Sequence, residues 1–264
     1  MEKQLFFNEL MKSAVPSWNF RHFPSTNGIN LPFQFFLPEN YSPEKKYPVL
    51  LFMHGMGSVG SDGKHIYQQA ASVLRQIESL EKYKSGVIVL APHMPKGNTW
   101  VKVEHDENRK IVPTGDEITD WLFAAKELLD TAMEELPIDS RRVYGWGNSM
   151  GAYALWFLAA KFPKLLTAIV PVAGYGRPET AEKMKDVAVF AAHGDADSLV
   201  DYCGSKNMVD ALIACGAKDV TLRTYEGKGH SLNDVFGPMG EDPTVLEWMF
   251  SKKSSDRQKE ESIK

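Results

Sequence analysis

The 264-residue chain has only two cysteines, Cys203 and Cys215. The segment between them, Gly204 to Ala214, reads as helix, which would hold them about 18 Å apart at 1.5 Å per residue, beyond the reach of a disulfide. No disulfide scaffold is expected, and two free, buried thiols favour a reducing compartment. A surplus of positive charge is also missing. With a net charge of −4 and a pI near 6.0, the chain offers no broad basic surface to nucleic acid or anionic lipid. No apolar run approaches the length of a membrane span. Met1 to Glu9 carry acids and lack an apolar centre, so no secretory signal is read there. The expected location is cytoplasmic as the sequence stands, and secreted or periplasmic if a leader was removed. With no His-x-x-x-His pair and no cysteine-rich cluster, neither a metal nor another cofactor is expected. There is no internal repeat.

What is present has the balance of an ordinary globular chain, 43% hydrophobic and 24% charged, which argues against disorder, coiled coil and collagen-like classes. Val49 to Met53 and Val87 to Ala91 are continuous apolar runs of strand length, the pattern of a sheet buried on both faces. From there strands and helices alternate. Helices are expected at Ile66–Leu80, Ile118–Glu135, Met150–Lys161, Glu179–Lys185, Cys203–Ala214 and Thr244–Phe250. Strands are expected at Phe33–Leu37, Arg142–Tyr144, Ala168–Val172, Val187–Ala192 and Val220–Tyr225, and Pro92–Gly115 is expected to be a long loop. The alternation predicts an α/β fold: one domain with a mostly parallel central sheet, helices on both faces and no separate cap domain. Residues 1–30 are read as an N-terminal extension packing on the core through Trp18, Phe20 and Phe23. Residues 31–251 form the domain itself, and 252–264 a disordered polar tail.

The most informative stretch is Gly147-x-Ser149-x-Gly151, placed between the apolar Val143-Tyr144 and the helical Ala154–Ala160. Strand, sharp turn and helix in that order hold a serine Oγ out at a helix N-terminus on a strained backbone, where it can act as a nucleophile. A serine needs a base, and the base needs a carboxylate to fix its tautomer. In an open α/β sheet both should follow later strands, in the order Ser, Asp, His. His193-Gly194-Asp195-Ala196-Asp197 follows one strand and Gly227-Lys228-Gly229-His230 follows the next.

His230 is the only one of seven histidines in that position, and Asp197 is favoured as the acid. Its rivals have other work available: Asp195 can tie down its own loop, and Asp201 can cap a helix. Two backbone N–H groups are candidates to hold a developing oxyanion, those of Met150 and of Met56 in His54-Gly55-Met56-Gly57.

These residues, with Tyr47-Pro48-Val49, Ala91-Pro92, Trp100, Ile138-Asp139-Ser140-Arg141-Arg142 and Phe162-Pro163, resemble the α/β-hydrolase superfamily from about Leu31 to Phe250. Within it the chain is similar to small lidless esterases of the feruloyl/acetyl-xylan esterase, polyhydroxybutyrate-depolymerase-like and "predicted peptidase" group, near dienelactone hydrolases. The resemblance implies a serine carboxylesterase. The second Asp of His-Gly-Asp-x-Asp is the usual acid of such families, in agreement with Asp197. Asn148 stands where a hydrophobic or small residue is usual, Ala152 where a second glycine is common, and Ser231-Leu232-Asn233 where a tryptophan often follows the histidine.

Without a cap, the site is expected to be open and to suit soluble short-chain or aromatic (feruloyl- or acetyl-type) esters, small or carbohydrate-linked. Trp100, Tyr175 and Asn148 are candidate substrate contacts, whereas Trp146 is assigned to the core. A serine peptidase is the alternative within the class, and a non-catalytic small-molecule binder the alternative outside it. Nucleic acid and membrane are not expected as partners; a homodimer is left open.

Overall fold

A computed structural model of the chain describes residues 5–80, 86–232 and 244–254; the tail expected to be disordered falls largely outside them. Eight strands make one sheet: β1 (Ser17–Pro24), β2 (Asn30–Leu37), β3 (Tyr47–Met53), β4 (Ile88–Pro92), β7 (Ile138–Asn148), β8 (Ala168–Val172), β9 (Ala188–Gly194) and β10 (Val220–Tyr225). Their spatial order is β1-β2-β4-β3-β7-β8-β9-β10. β1 and β2 pair antiparallel, as do β2 and β4, and every other pairing is parallel. This is the expected mostly parallel sheet, with β1 and β2 adding antiparallel pairings at one edge.

The central strands are buried on both faces because alternate side chains feed two cores. On β3, Val49, Leu51 and Met53 join one cluster, while Leu50 and Phe52 join the other. The first cluster lies under α1 (Phe6–Met11), α3 (Asp120–Glu135), α4 (Met150–Lys161) and α5 (Tyr202–Ala214), and the second under α2 (Lys64–Ser79) and α6 (Thr244–Ser251). α4 is apolar nearly all round, with residues Met150 to Ala159 buried. A surface helix could not tolerate that composition. Here α4 is covered on its outer side by a second, two-stranded sheet, β5 (Val101–His105) with β6 (Ile111–Ile118).

That hairpin occupies the stretch expected to be a loop. Where a helix was expected at Glu179–Lys185, residues Pro178–Met184 form a 3-10 helix with proline in its first turn. The cysteines are free, but Cys203, in the first turn of α5, is exposed, and Cys215, at its C-terminal end, is only partly buried against the core; the expectation of buried thiols is corrected. Among the described residues no helix is long and apolar enough to cross a membrane.

Candidate active site

A single residue separates the end of β7 from the start of α4. Ser149 has φ 54° and ψ −120°, a conformation that costs a non-glycine residue about 1–3 kcal/mol. It is held there by its neighbours: Ser149 N donates to Val172 O at 2.8 Å, and its carbonyl accepts from Ala152 N at 2.8 Å. The flanking glycines answer to contact distance. A methyl group on Gly151 would stand 1.9 Å from the Met53 carbonyl oxygen, and one on Gly147 would stand 2.4 Å from the Gly151 oxygen. No side chain fits at either position.

The elbow brings Ser149 Oγ to 2.8 Å from His230 Nε2, and His230 Nδ1 lies 2.8 Å from Asp197 Oδ2. The three residues come from the ends of β7, β9 and β10, which is how distant stretches of chain converge at one edge of a parallel sheet. Asp197 is buried, and burial alone would raise its proton affinity. The hydrogen bonds from His193, His230, Val200 and Leu199 outweigh that and hold the carboxyl well below the usual range, so it is a carboxylate. Its loop is tied down from outside as well. Lys110 Nζ donates to the Asp197 carbonyl at 2.5 Å and Ile111 N to Leu199 O at 2.9 Å, both from the β5–β6 hairpin.

The rival acids are engaged elsewhere. Asp201 caps α5, accepting from Cys203 N at 2.7 Å. Asp195 Oδ1 accepts from Gly227 N at 2.7 Å, so it ties the loop before His230 to the Asp197 loop instead of bracing its own.

The chain matches the family model described as "Putative esterase" over residues 25–259. It belongs to that esterase family. Among its relatives is a bifunctional acetylxylan esterase/xylanase of Neocallimastix patriciarum, 27% identical over 168 residues, which are 63% of this chain and 21% of that protein. Acyl-protein thioesterase 1 of Cryptococcus neoformans var. neoformans serotype D (strain JEC21) is 23% identical, with 72% of this chain and 88% of that protein covered.

Of solved structures, a thermostable esterase superposes with a TM-score of 0.78 at 25% identity, covering 91% of this chain and 64% of that one. The S954A feruloyl esterase module of Clostridium thermocellum, complexed with sinapinate, shares the fold with a TM-score of 0.61 at 16% identity, covering 88% and 87%. The chain thus spans about a fifth of the bifunctional relative and just under two thirds of the thermostable esterase. Family and neighbours together support a carboxylic ester hydrolase of the α/β-hydrolase fold.

In this family member the loop after β3 lies against the elbow. A methyl on Gly55 would be 3.2 Å from both Asn148 O and Ser149 Cβ. Met56 opens a 3-10 turn, Met56–Ser58, as Met150 opens α4, and first-turn N–H groups have no partner within their own helix. The Met150 N–H also lies at the positive end of the α4 dipole.

The loop is braced by two buried histidines, His54 and His93. His54 Nε2 accepts from Met94 N at 2.9 Å, so its proton is on Nδ1, which donates to Gly55 O at 2.7 Å. His93 Nδ1 accepts from Gly63 N at 3.2 Å, and Nε2 donates to Ser58 O at 2.8 Å. Burial pushes the His54 imidazole down to about 4 and lowers His93 in the same sense.

Trp100 does not line the site, and that expectation is corrected. Its side chain is fully buried, and its Nε1–H donates to His54 O at 3.2 Å, so it braces the loop from behind. The fixed spacing of the ring to the His54 ring, 5.5 Å between centroids, comes from tertiary packing that no local sequence signal carries. Tyr175 is half-buried, its ring 6.4 Å from that of Tyr153. Asn148 is also half-buried and accepts from Trp146 Nε1 at 3.2 Å. Two apolar side chains not among the expected substrate contacts are well exposed: Met56, in the loop beside the elbow, at 46%, and Leu199, in the loop that carries Asp197, at 49%.

Proposed function

We propose that the chain is a serine carboxylesterase that cleaves short-chain or aromatic carboxylic esters through an acyl-enzyme. The observation that carries this reading is the continuous run Ser149 Oγ, His230, Asp197 with 2.8 Å at each junction, set on a strained elbow. His230 Nε2 takes the Ser149 proton as Oγ attacks the ester carbonyl. The Met56 and Met150 N–H groups receive the oxyanion, and Asp197 stabilises the imidazolium that forms. His230 returns the proton to the departing alcohol, then activates water to release the acid. The exposed apolar side chains of Met56 and Leu199, with half-buried Tyr175, suit a short aliphatic or aromatic acyl group at an open site. The acetylxylan esterase relative and the feruloyl esterase fold neighbour favour a small or carbohydrate-linked alcohol.

A second reading, hydrolysis of acyl thioesters, is favoured by the 23% identity to an acyl-protein thioesterase over 72% of the chain. The same nucleophile, base and oxyanion donors would serve it.

The test joins fluorophosphonate labelling, located by mass spectrometry, to a substrate panel of acetate, butyrate, long-chain, hydroxycinnamate and thioester derivatives. Labelling at Ser149, with turnover of acetate or hydroxycinnamate esters abolished in Ser149→Ala, is the expected result. Turnover that survives Ser149→Ala would sink the nucleophile assignment. A preference for thioesters over the matched oxygen esters would move the assignment to the second reading.

A further inference from the structure

Asp197 places two histidines on one oxygen. Oδ2 accepts from His230 Nδ1 at 2.8 Å and lies 3.1 Å from His193 Nε2, while Oδ1 accepts from Leu199 N at 2.8 Å and Val200 N at 2.9 Å. A carboxylate has about four lone-pair positions, and all four are filled. His193 and Ser205 are fully buried, as is the Asp197 side chain. No step of the reaction above uses His193.

The proton on the His193 ring can be placed from its partners. Nε2 faces two acceptors, Asp197 Oδ2 and the Val200 carbonyl at 3.3 Å, so it is the protonated nitrogen. Nδ1 faces the Ser205 hydroxyl at 2.8 Å, and that hydroxyl also lies 2.9 Å from Gly174 O. A line of polar groups, buried as far as Asp197, therefore runs from the end of β8 through α5 and β9 to the half-buried His230 and serine: Gly174, Ser205, His193, Asp197, His230, Ser149.

We infer that His193 is a positioning residue for the His230–Ser149 couple, acting through the shared oxygen of Asp197. The inference rests on the proposed roles of Ser149, His230 and Asp197. Its N–H does two things to that oxygen. It blocks rotation of the carboxylate, which could turn only by breaking bonds on both sides, and it draws off part of the charge with which Oδ2 holds the His230 proton. Without it, Oδ2 spends its full acceptor strength on His230. The imidazolium is then held more tightly, and the ring is aimed less well at Ser149.

The groups around this line are few. Tyr202 on α5 packs edge-on against the His193 ring at 5.8 Å, and Thr224 lies opposite His193 on β10. On the Asp197 side, Lys110 of the hairpin reaches the backbone carbonyl, and Tyr153 of α4 feels the carboxylate's charge. None of these donates to Oδ2.

The experiment compares kcat/KM against pH for the wild type, His193→Leu and His193→Gln, on whichever ester the substrate panel selects. In His193→Leu the acid limb moves to higher pH by about 0.5 unit or more. The plateau falls roughly tenfold, mainly in kcat, the scale of one hydrogen bond to a charged group. His193→Gln, whose side-chain amide can again donate towards Oδ2, returns the limb and most of kcat. If both variants lose activity alike while the acid limb stays in place, His193 only fills space and the inference is overturned. Should His193→Leu not fold, Ser205→Ala takes its place, since it removes the hydroxyl that orients the ring: a limb moved to higher pH supports the inference and an unmoved limb overturns it. Failure of the triad reading is separate, because it appears as turnover in Ser149→Ala whatever happens at His193.

Discussion

Ala152 and Gly174 meet where α4 passes the end of β8: a methyl on Gly174 would stand 2.4 Å from the Ala152 Cβ. The alanine at position 152 is therefore accommodated by a missing side chain across the contact. Gly174→Ala should destabilise the protein by about 1–3 kcal/mol, the range for overpacking a close-packed interior. Ala152→Gly alone should cost about 1 kcal/mol in helix propensity. The double variant should be more stable than the sum of the singles, because the clash needs both methyls. Chemical denaturation of the four proteins measures that coupling, and strict additivity would mean that the contact does not govern Gly174.

Asp197→Asn should remove most activity and leave the fold. The carbonyl of the new amide can keep the Leu199 and Val200 N–H bonds, which turns the amide nitrogen towards His230 and His193, where a donor now faces two donors. His230 must then give up the tautomer that leaves Nε2 free to accept from Ser149. A loss of kcat on the order of 10³–10⁴ follows, by analogy with other triads stripped of their carboxylate. Steady-state kinetics beside a thermal melt separates this from unfolding, and a loss under tenfold would return the acid role to a rival.

How much of this was legible in the sequence depended on whether a feature has a local pattern. The elbow has one, since Gly147, Ser149 and Gly151 must sit at fixed spacing between strand and helix. Asp197 and His230 could be found from it because a parallel sheet gathers strand ends in a known order. The β5–β6 hairpin had no such signal. Val101-Lys102-Val103-Glu104-His105 is short, its partner contains Pro113 and Gly115, and neither strand shows a sustained apolar alternation, since the pair packs over α4 outside the main sheet. The same holds for β1, an edge strand with an irregular burial pattern. The roles of His193, His93 and Trp100 rest on partners 12 to 46 positions away, Ser205 for His193, Ser58 for His93 and His54 for Trp100. No spacing rule could have reached those contacts.

Trp100→Phe tests the brace behind the loop proposed to supply the Met56 oxyanion donor. It keeps the aromatic packing but deletes the donor to His54 O, a carbonyl that faces the interior. The unpaired group should cost about 1–3 kcal/mol, lowering Tm by several degrees for a domain of this size. The loop that carries Met56 should also sit less firmly. A fall in kcat well short of the roughly 10²–10³ expected for outright loss of an oxyanion donor is the anticipated outcome. If kcat is unchanged while Tm drops, the brace supports the fold without reaching the chemistry.

The buried histidines make the same loop sensitive to acid. His54 keeps its neutral, Nδ1-protonated form in the folded state down to about pH 4, whereas in the unfolded chain it titrates at its ordinary value of 6.5. Between those two values the unfolded state binds the additional proton, so stability rises with pH across the window and is lost as pH falls through it. Above about 6.5 the contribution is complete. Below about 4 no more is lost from this group, and the total for His54 is roughly 3 kcal/mol at about 1.36 kcal/mol per pKa unit. His93, lowered in the same direction, adds to the loss. A protonated His54 could not accept from Met94 N, nor a protonated His93 from Gly63 N, so the segment from His54 to Gly63 should open before the sheet does. Hydrogen exchange at about pH 7, 5.5 and 4.5, corrected for intrinsic rates, should show protection at Met94 and Gly63 falling ahead of that in β3 and β7. Uniform loss across the sheet would mean that acid acts on the whole fold and not through these two histidines.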